Sequence, residues 1–257
     1  MRAQQRLPRR RWSRPRWVLG VIGVVAATAV GVATFLIIGP GSAPTGPRPL
    51  TSDEANRLAM TRFRNYEAGG RAVTITVPTT AGGLVITGSV DYRAQLGYGV
   101  VHGTGRDTSS DGLIQWSTST VFVHPMANAP AEAPAAPPGS DWHHRPLQTS
   151  GSSLDSSLLI ALSLGSDRPD NAELLRQNGA AWVGSDQVAD HQVDVMSGPA
   201  AAGRPSTAGN VRYWIDSDGT THRVQADVAS EPQPVVIDFD TRDYVPVQPA
   251  PGVTPTR

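Results

Sequence analysis

Apolar and polar residues alternate at every second position through most of this chain. "RAVTITV" sets Val73, Ile75 and Val77 on one side and Ala72, Thr74 and Thr76 on the other, the period of a half-buried strand. "GLVITGSVDY" (83–92), "LGYGVVHG" (96–103) and "GLIQWSTSTVFVH" (112–124) continue the pattern between Gly, Asp and Ser turns. It resumes later in "AAWVGSDQV", "HQVDVMSG", "NVRYWIDS", "TTHRVQADVA" and "PVVIDFDT". Helical spacing interrupts it three times. Thr51 with Glu54 three residues on is a capping box, and the helix it opens carries Ala55, Leu58, Ala59, Phe63 and Tyr66 on one face before stopping at 69–70. "LDSSLLIALSLG" (154–165) stacks Leu158, Leu159 and Leu162, and Asp170 with Glu173 caps a short helix ending near Gly179. Strands, then helices, then strands predict an α+β fold: an antiparallel sheet with its helices on one face.

The best-defined local feature is "YWIDSDGTTHRVQA" (213–226). Asp218 and Gly219 form a two-residue hairpin turn, whose central positions need φ > 0. Closing the hairpin there pairs Ser217 with Thr220, Trp214 with Arg223 and Tyr213 with Val224. Trp214 beside Arg223 then suggests a cross-strand cation–π pair. A calcium loop is excluded by position: with Gly219 as the invariant glycine, Trp214 and Gln225 fall where carboxylates are required. Strict alternation puts His222 on the opposite face from Asp216, which leaves no acid/base pair. The turn reads as architecture.

One stretch has neither period. From 18 to 38 runs "VLGVIGVVAATAVGVATFLII", uncharged and roughly 31 Å long as a helix, against about 30 Å of bilayer hydrocarbon. Trp12 and Trp17 mark an interfacial belt, and the arginines before them mark the cytoplasmic side. A cleavable leader fits less well, because its apolar region runs to roughly 7–15 residues and the small-residue stretch at 41–43 is followed by Pro44. Gly23, Ala27 and Gly31 recur at the spacing that lets membrane helices approach, although such residues commonly fill single anchors. The expected layout is a basic cytoplasmic arm (1–16), a transmembrane helix (17–38), a Pro/Gly linker (39–50) and an extracytoplasmic domain (51–245). A flexible insertion (126–140) interrupts that domain, and a disordered tail (246–257) follows it.

Charge sharpens this picture. The formal net charge is zero, but seven arginines precede residue 17 with no acid among them, leaving 15 arginines against 22 acidic residues beyond. A main body at −7 argues against nucleic acid as partner. There is no cysteine and no lysine, which removes disulfides, thiolate metal sites, Walker-type phosphate loops and Schiff-base chemistry. The lysine-free, Arg/Ala/Gly/Pro-rich usage suggests a high-GC, actinobacterial genome. The remaining candidates are weak. His143 and His144 are adjacent and so point apart, with no second ligand cluster at metal spacing. "TSGSSLDSSLL" lacks the strand–turn–helix setting of a serine nucleophile, and its Ser and Thr suit a helix cap. "GYGVVHGTG" does not lead into a helix. Trp116, Trp182 and Trp214 suit a core better than a pocket. No catalytic residue, metal or cofactor is expected.

The helix–meander order, followed by Gly184, Asp186, Val188 and Val193 and then Trp214, Ile215, Asp216, Gly219 and Arg223, resembles LolA-like folds, especially the mycobacterial LppX/LprG-type envelope lipoproteins. The resemblance spans roughly 51–245. It implies a curved antiparallel half-barrel over helices, enclosing a cavity for acyl chains, in proteins that carry or present lipids and lipoproteins. The chain departs from that family in lacking a lipobox cysteine, and the membrane helix takes the anchor's place. The reading is therefore a membrane-anchored extracytoplasmic protein, not an enzyme, binding or presenting an apolar ligand (lipid or lipoprotein) in the bacterial cell envelope. Its partners would be the membrane and an envelope protein. Val73, Ile75, Val77, Ile86, Tyr213, Val224, Ile237 and Phe239 are the expected core and cavity lining. The alternative is a non-enzymatic scaffold module with no ligand cavity, docking a membrane or cell-wall partner.

Overall fold

The computed structural model describes residues 46–79, 82–105, 108–199, 211–228, 231–239 and 242–253. The chain divides into two units, 1–41 and 42–257, and every described residue falls in the second. The expected arm (1–16), transmembrane helix (17–38) and first part of the linker lie outside the described residues. Among the described residues, no helix is long and apolar enough to cross a membrane.

Among the described residues, twelve strands form one open antiparallel sheet. In chain order they are β1 (Arg48–Pro49), β2 (Gly70–Val77), β3 (Leu84–Asp91), β4 (Leu96–Gly103), β5 (Gly112–Trp116), β6 (Thr120–Pro125), β7 (His143–Pro146), β8 (Ala181–Val188), β9 (His191–Ser197), β10 (Val211–Ile215), β11 (Thr221–Ala226) and β12 (Val235–Phe239). Their spatial order is β1-β8-β9-β10-β11-β12-β2-β3-β4-β5-β6-β7. The edges are the two-residue β1 and the four-residue, proline-ended β7, short enough to offer little template for pairing with another chain. Among the described residues, three helices accompany the sheet: α1 (Ser52–Glu67), α2 (Ser153–Ser163) and α3 (Ala172–Gln177).

Alternation decides which face is buried. Val73, Ile75 and Val77 of β2, Ile86 of β3, Val101 of β4, Ile114 and Trp116 of β5 and Val224 of β11 project to one side, where Leu158, Ala161 and Leu162 of α2 pack on them. The Trp116 indole donates to the Leu158 carbonyl (3.1 Å), tying sheet to helix through a bond that burial would otherwise leave unmade. Gly97 stands opposite Trp116, and a Cβ there would run into the indole ring. Gly88 and Gly99 also face each other, and a Cβ on either would meet backbone of the other strand. Leu58 and Ala55 of α1 pack nearby with Met196 and Ile215, and half-buried Tyr213 touches both clusters, so α1 and α2 share one face of the sheet.

The helix signals hold in detail. Thr51 and Glu54 form the reciprocal capping box, and Gly69 leaves α1 at φ +83°. Arg48 adds a bidentate pair to Glu54 (2.7 and 2.8 Å) and stacks over Trp182. Ser152 caps α2, as its serine-rich approach suggested. The cap of α3 is Asn171 rather than Asp170, which is turned to Arg62 instead (3.2 Å).

Other expectations are corrected. The run 112–124 is two strands, because the Ser117 hydroxyl accepts from Ser119 and Thr120 N–H and bends the chain between β5 and β6. The expected linker ends in a strand, β1, and Leu50 is buried. The stretch 126–140, expected as a flexible excursion, lies against the outer face of β4 and β5. There Met126, Ala129 and Ala133, with Trp142, cover Tyr98, Val100 and Leu113. The tail expected to be disordered follows the same face as far as Ala250. Buried Gln115 donates to the Gln248 carbonyl and accepts from Ala250 N–H, both at 2.8 Å, and Arg242 donates to the carbonyls of Val73 and Gly88.

The β10–β11 hairpin pairs Tyr213 with Val224 and Trp214 with Arg223 as expected, but the register slips between Trp214 and Ile215, so Ile215 opposes Thr221. The bulge reverses alternation beyond it. Asp216 and His222 therefore meet, with Nε2 2.9 Å from Oδ2, instead of facing apart. Nor does Arg223 turn to Trp214: its Nε donates to Asp238 of β12 (2.6 Å), while the Trp214 indole N–H donates to Asp186 (2.8 Å).

Candidate functional site

An apolar recess of about 230 Å³ opens where the main core ends. Val101 and Ile114 belong to that core, and Leu84, Val123 and Leu154 lie half-buried at its margin. Strand period puts Ile114 directly opposite Val123 on the helix-bearing face. Leu154 is the second residue of α2, so the first turn of the helix forms one wall. Further along α2, Leu158, Ala161 and Leu162 fill the same face completely. The recess is thus the part of the sheet that α2 begins too late to cover. Ser109, Ser110, Asp111 and His124 add polar groups to its lining. The Asp111 carboxylate accepts from Gly103 N–H (2.8 Å) and lies 3.6 Å from Nδ1 of His102.

Leu154 is held in place by its neighbour. Asp155 is fully buried and takes both Arg145 guanidinium nitrogens at 2.6 Å and Gln148 N–H at 2.7 Å. Burial pushes its carboxyl upward, but the Arg145 and Gln148 bonds outweigh that and leave it below the usual aspartate value. This cluster fastens the edge strand β7 to the start of α2.

Of the eight residues expected to line core or cavity, seven are solid interior. Val73, Ile75, Val77, Ile86 and Ile237 are 0 % exposed, Val224 1 % and Phe239 5 %, all in the main cluster. Tyr213 lines a different recess of about 340 Å³, with Leu58, Arg62, Leu164, Asp170 and Leu175; burial raises its phenol pKa. A third recess, about 240 Å³ on the opposite face, includes Tyr98, Glu132 and Arg242. The Tyr98 hydroxyl is buried with no bonding partner among the described residues, and desolvation pushes its pKa up to about 12. Sequence reasoning missed Leu84, Val101, Ile114, Val123 and Leu154, since alternation shows which face a residue occupies and not where the packing stops.

The other sequence candidates take structural places. His144 of β7 lies beside Phe122, and both His143 and His144 are exposed. Trp116 is central core, Trp182 is half-buried beside α1, and Trp214 forms a small cluster with Val193 and Val195 on the face away from the helices.

No protein-family model matches the chain, and no curated protein does. Solved structures similar to it include a DUF1329-family protein from Desulfovibrio piger, with 10 % identity, a TM-score of 0.32, and 75 % of this chain and 92 % of that one covered. Another is an outer membrane lipoprotein-sorting protein domain from Vibrio parahaemolyticus, with 10 % identity, a TM-score of 0.26, and coverage of 73 % and 89 %. At such scores neither name carries weight for this chain.

Proposed function

We propose that this chain is a membrane-tethered, extracytoplasmic binding protein of the bacterial cell envelope, LolA-like in fold, that takes an apolar chain into the recess beside Leu154 and performs no catalysis. The observation carrying this reading is the recess itself: Leu84, Val101, Ile114, Val123 and Leu154 from the main core and its margin, among other residues, around about 230 Å³. Drug-sized ligands occupy roughly 300–1,000 Å³, so the recess suits the end of an acyl chain rather than a whole lipid. Each methylene enclosed there contributes about 0.8 kcal/mol. The tether rests on the uncharged run 18–38 and the arginines before it.

The test uses residues 42–257, a compact unit of their own. The unit, purified from a bacterial host, should show bound acyl mass by native mass spectrometry or take up a fluorescent fatty acid. Leu154→Trp fills the recess and should lower uptake about tenfold with the melting temperature retained. A clean apo mass with no uptake would replace this reading by the scaffold alternative, which the solid packing around Ile75 and Ile237 favours.

A further inference from the structure

Three side chains from two neighbouring hairpins converge at the end of β10, on no part of the apolar recess. His191 opens β9 just after a two-residue turn in which Ala189 adopts φ +51°. Asp216 follows the last residue of β10, and His222 is the second residue of β11. Strands β9 and β11 flank β10 on either side, so their imidazoles meet only because β10 has ended. The two rings stack with centroids 4.2 Å apart and planes 23° from parallel. One donor atom from each of the three residues lies within 4.8 Å of the other two.

The carboxylate is prepared for a ligand's role. Oδ1 of Asp216 accepts N–H bonds from Asp218 (2.9 Å) and Thr220 (2.8 Å), which fix the group and leave Oδ2 directed at Nε2 of His222 (2.9 Å). Arg57 anchors the same corner by donating to the Asp216 carbonyl (2.9 Å) and to the Asp194 carboxylate (2.7 Å). His222 is buried at 6 % exposure, whereas His191 is exposed and in reach of solvent.

We propose that His191, Asp216 and His222 form a binding site for a divalent transition metal of the zinc class. Two neutral imidazoles and one carboxylate are a donor set zinc accepts, with a fourth tetrahedral position open to water on the exposed side. Zinc donors at about 2.0–2.1 Å lie roughly 3.3 Å from one another, so donors within 4.8 Å need draw together by no more than about 1.5 Å. The exposed His191 ring supplies that movement by rotating about χ2, a broad torsion for histidine, which also unstacks it from His222. The bound ion would clamp β9 to β11 across the hairpin turn. Copper(II) and nickel(II) are expected to compete, since N/O sites follow the Irving–Williams order.

The test is titration of the full-length chain with Zn²⁺ alone against a chelating indicator, and with Co²⁺ for the visible absorption of tetrahedral coordination. One zinc per chain is expected at micromolar free metal. His191→Gln, an exposed change that leaves the hairpin bonds intact, should weaken it about tenfold or more with an unchanged circular dichroism melt, and should abolish the Co²⁺ band. His222→Gln, at a buried position bonded to Asp216, should weaken zinc by a similar factor. Zinc affinity unmoved by His191→Gln, whether carried by His102, His124, His143 or His144 instead, overturns the proposal, as does the absence of binding at micromolar zinc.

Discussion

Replacing Asp155 by Asn isolates the interaction that positions the wall of the recess. In the wild type the carboxylate is 0 % exposed and bonded to Arg145 twice and to Gln148 N–H, while the Arg145 side chain is 40 % exposed. Breaking a buried ion pair costs about 3–5 kcal/mol when the remaining charge is stranded without water. Here the survivor, Arg145, can rehydrate, so the lower end, about 3 kcal/mol, is expected. For a unit of this size that corresponds to a fall in melting temperature of about 6–12 °C. Arg145→Met should cost more, because it leaves the carboxylate, the partner that cannot reach water, without its cation. Acid separates this account from simple loss of packing. A carboxyl held below its ordinary value of 3.8 contributes stability above that pH and loses it as the pH falls further. The wild-type and Asp155→Asn denaturation curves should therefore converge in acid. Urea unfolding of residues 42–257 at neutral pH and in acid measures both effects. A difference under about 0.5 kcal/mol at neutral pH, or one that persists unchanged in acid, would refute the reasoning.

Three further outcomes follow from the same structure. The Arg48 pair, which is the largest influence, and the Thr51 bonds outweigh the upward push of burial and lower the Glu54 carboxyl to about 2, so its contribution is complete above 4.5 and lost as the pH falls from 4.5 toward 2. With Arg48 about one-third exposed, the effect is discounted to about 1–2 kcal/mol, and Glu54→Gln should remove that stretch of pH dependence from thermal melts. Gln115→Ala leaves the Gln248 carbonyl and Ala250 N–H without partners on the sheet. It should cost about 1–3 kcal/mol and speed hydrogen exchange at Ala250, whereas unchanged exchange would mean that apolar contact alone holds that segment. Gly97→Ala drives a Cβ into the Trp116 indole and should destabilise by about 1–3 kcal/mol with altered tryptophan fluorescence; a neutral substitution would show the indole free to shift.

What was legible in the sequence is what local chemistry decides alone. The Thr51–Glu54 box needs only four residues to close, and α1 begins where it indicates. The Tyr213–Val224 and Trp214–Arg223 pairs were legible from the Asp218–Gly219 turn signal, although Gly219 alone of those two takes positive φ and the register slips beyond Trp214. What was not legible depends on distant partners. The bulge after Trp214 occurs beside bonds from Arg57 to the Asp216 carbonyl and to Asp194, contacts spanning more than a hundred residues, and it alone brings Asp216 to His222. Segment 126–140 has the composition of a spacer, yet it finds an apolar surface in Tyr98, Val100 and Leu113. That surface had a signal: "YGVV" places apolar side chains on both faces of β4, as only a strand covered on both sides requires. The two candidate sites share a physical reason for escaping notice. The recess lies where α2 has not yet begun, and the His–Asp–His cluster where β10 has stopped. Periodicity describes elements while they continue, whereas groups free to bind something else collect where an element ends and its neighbours are left facing one another.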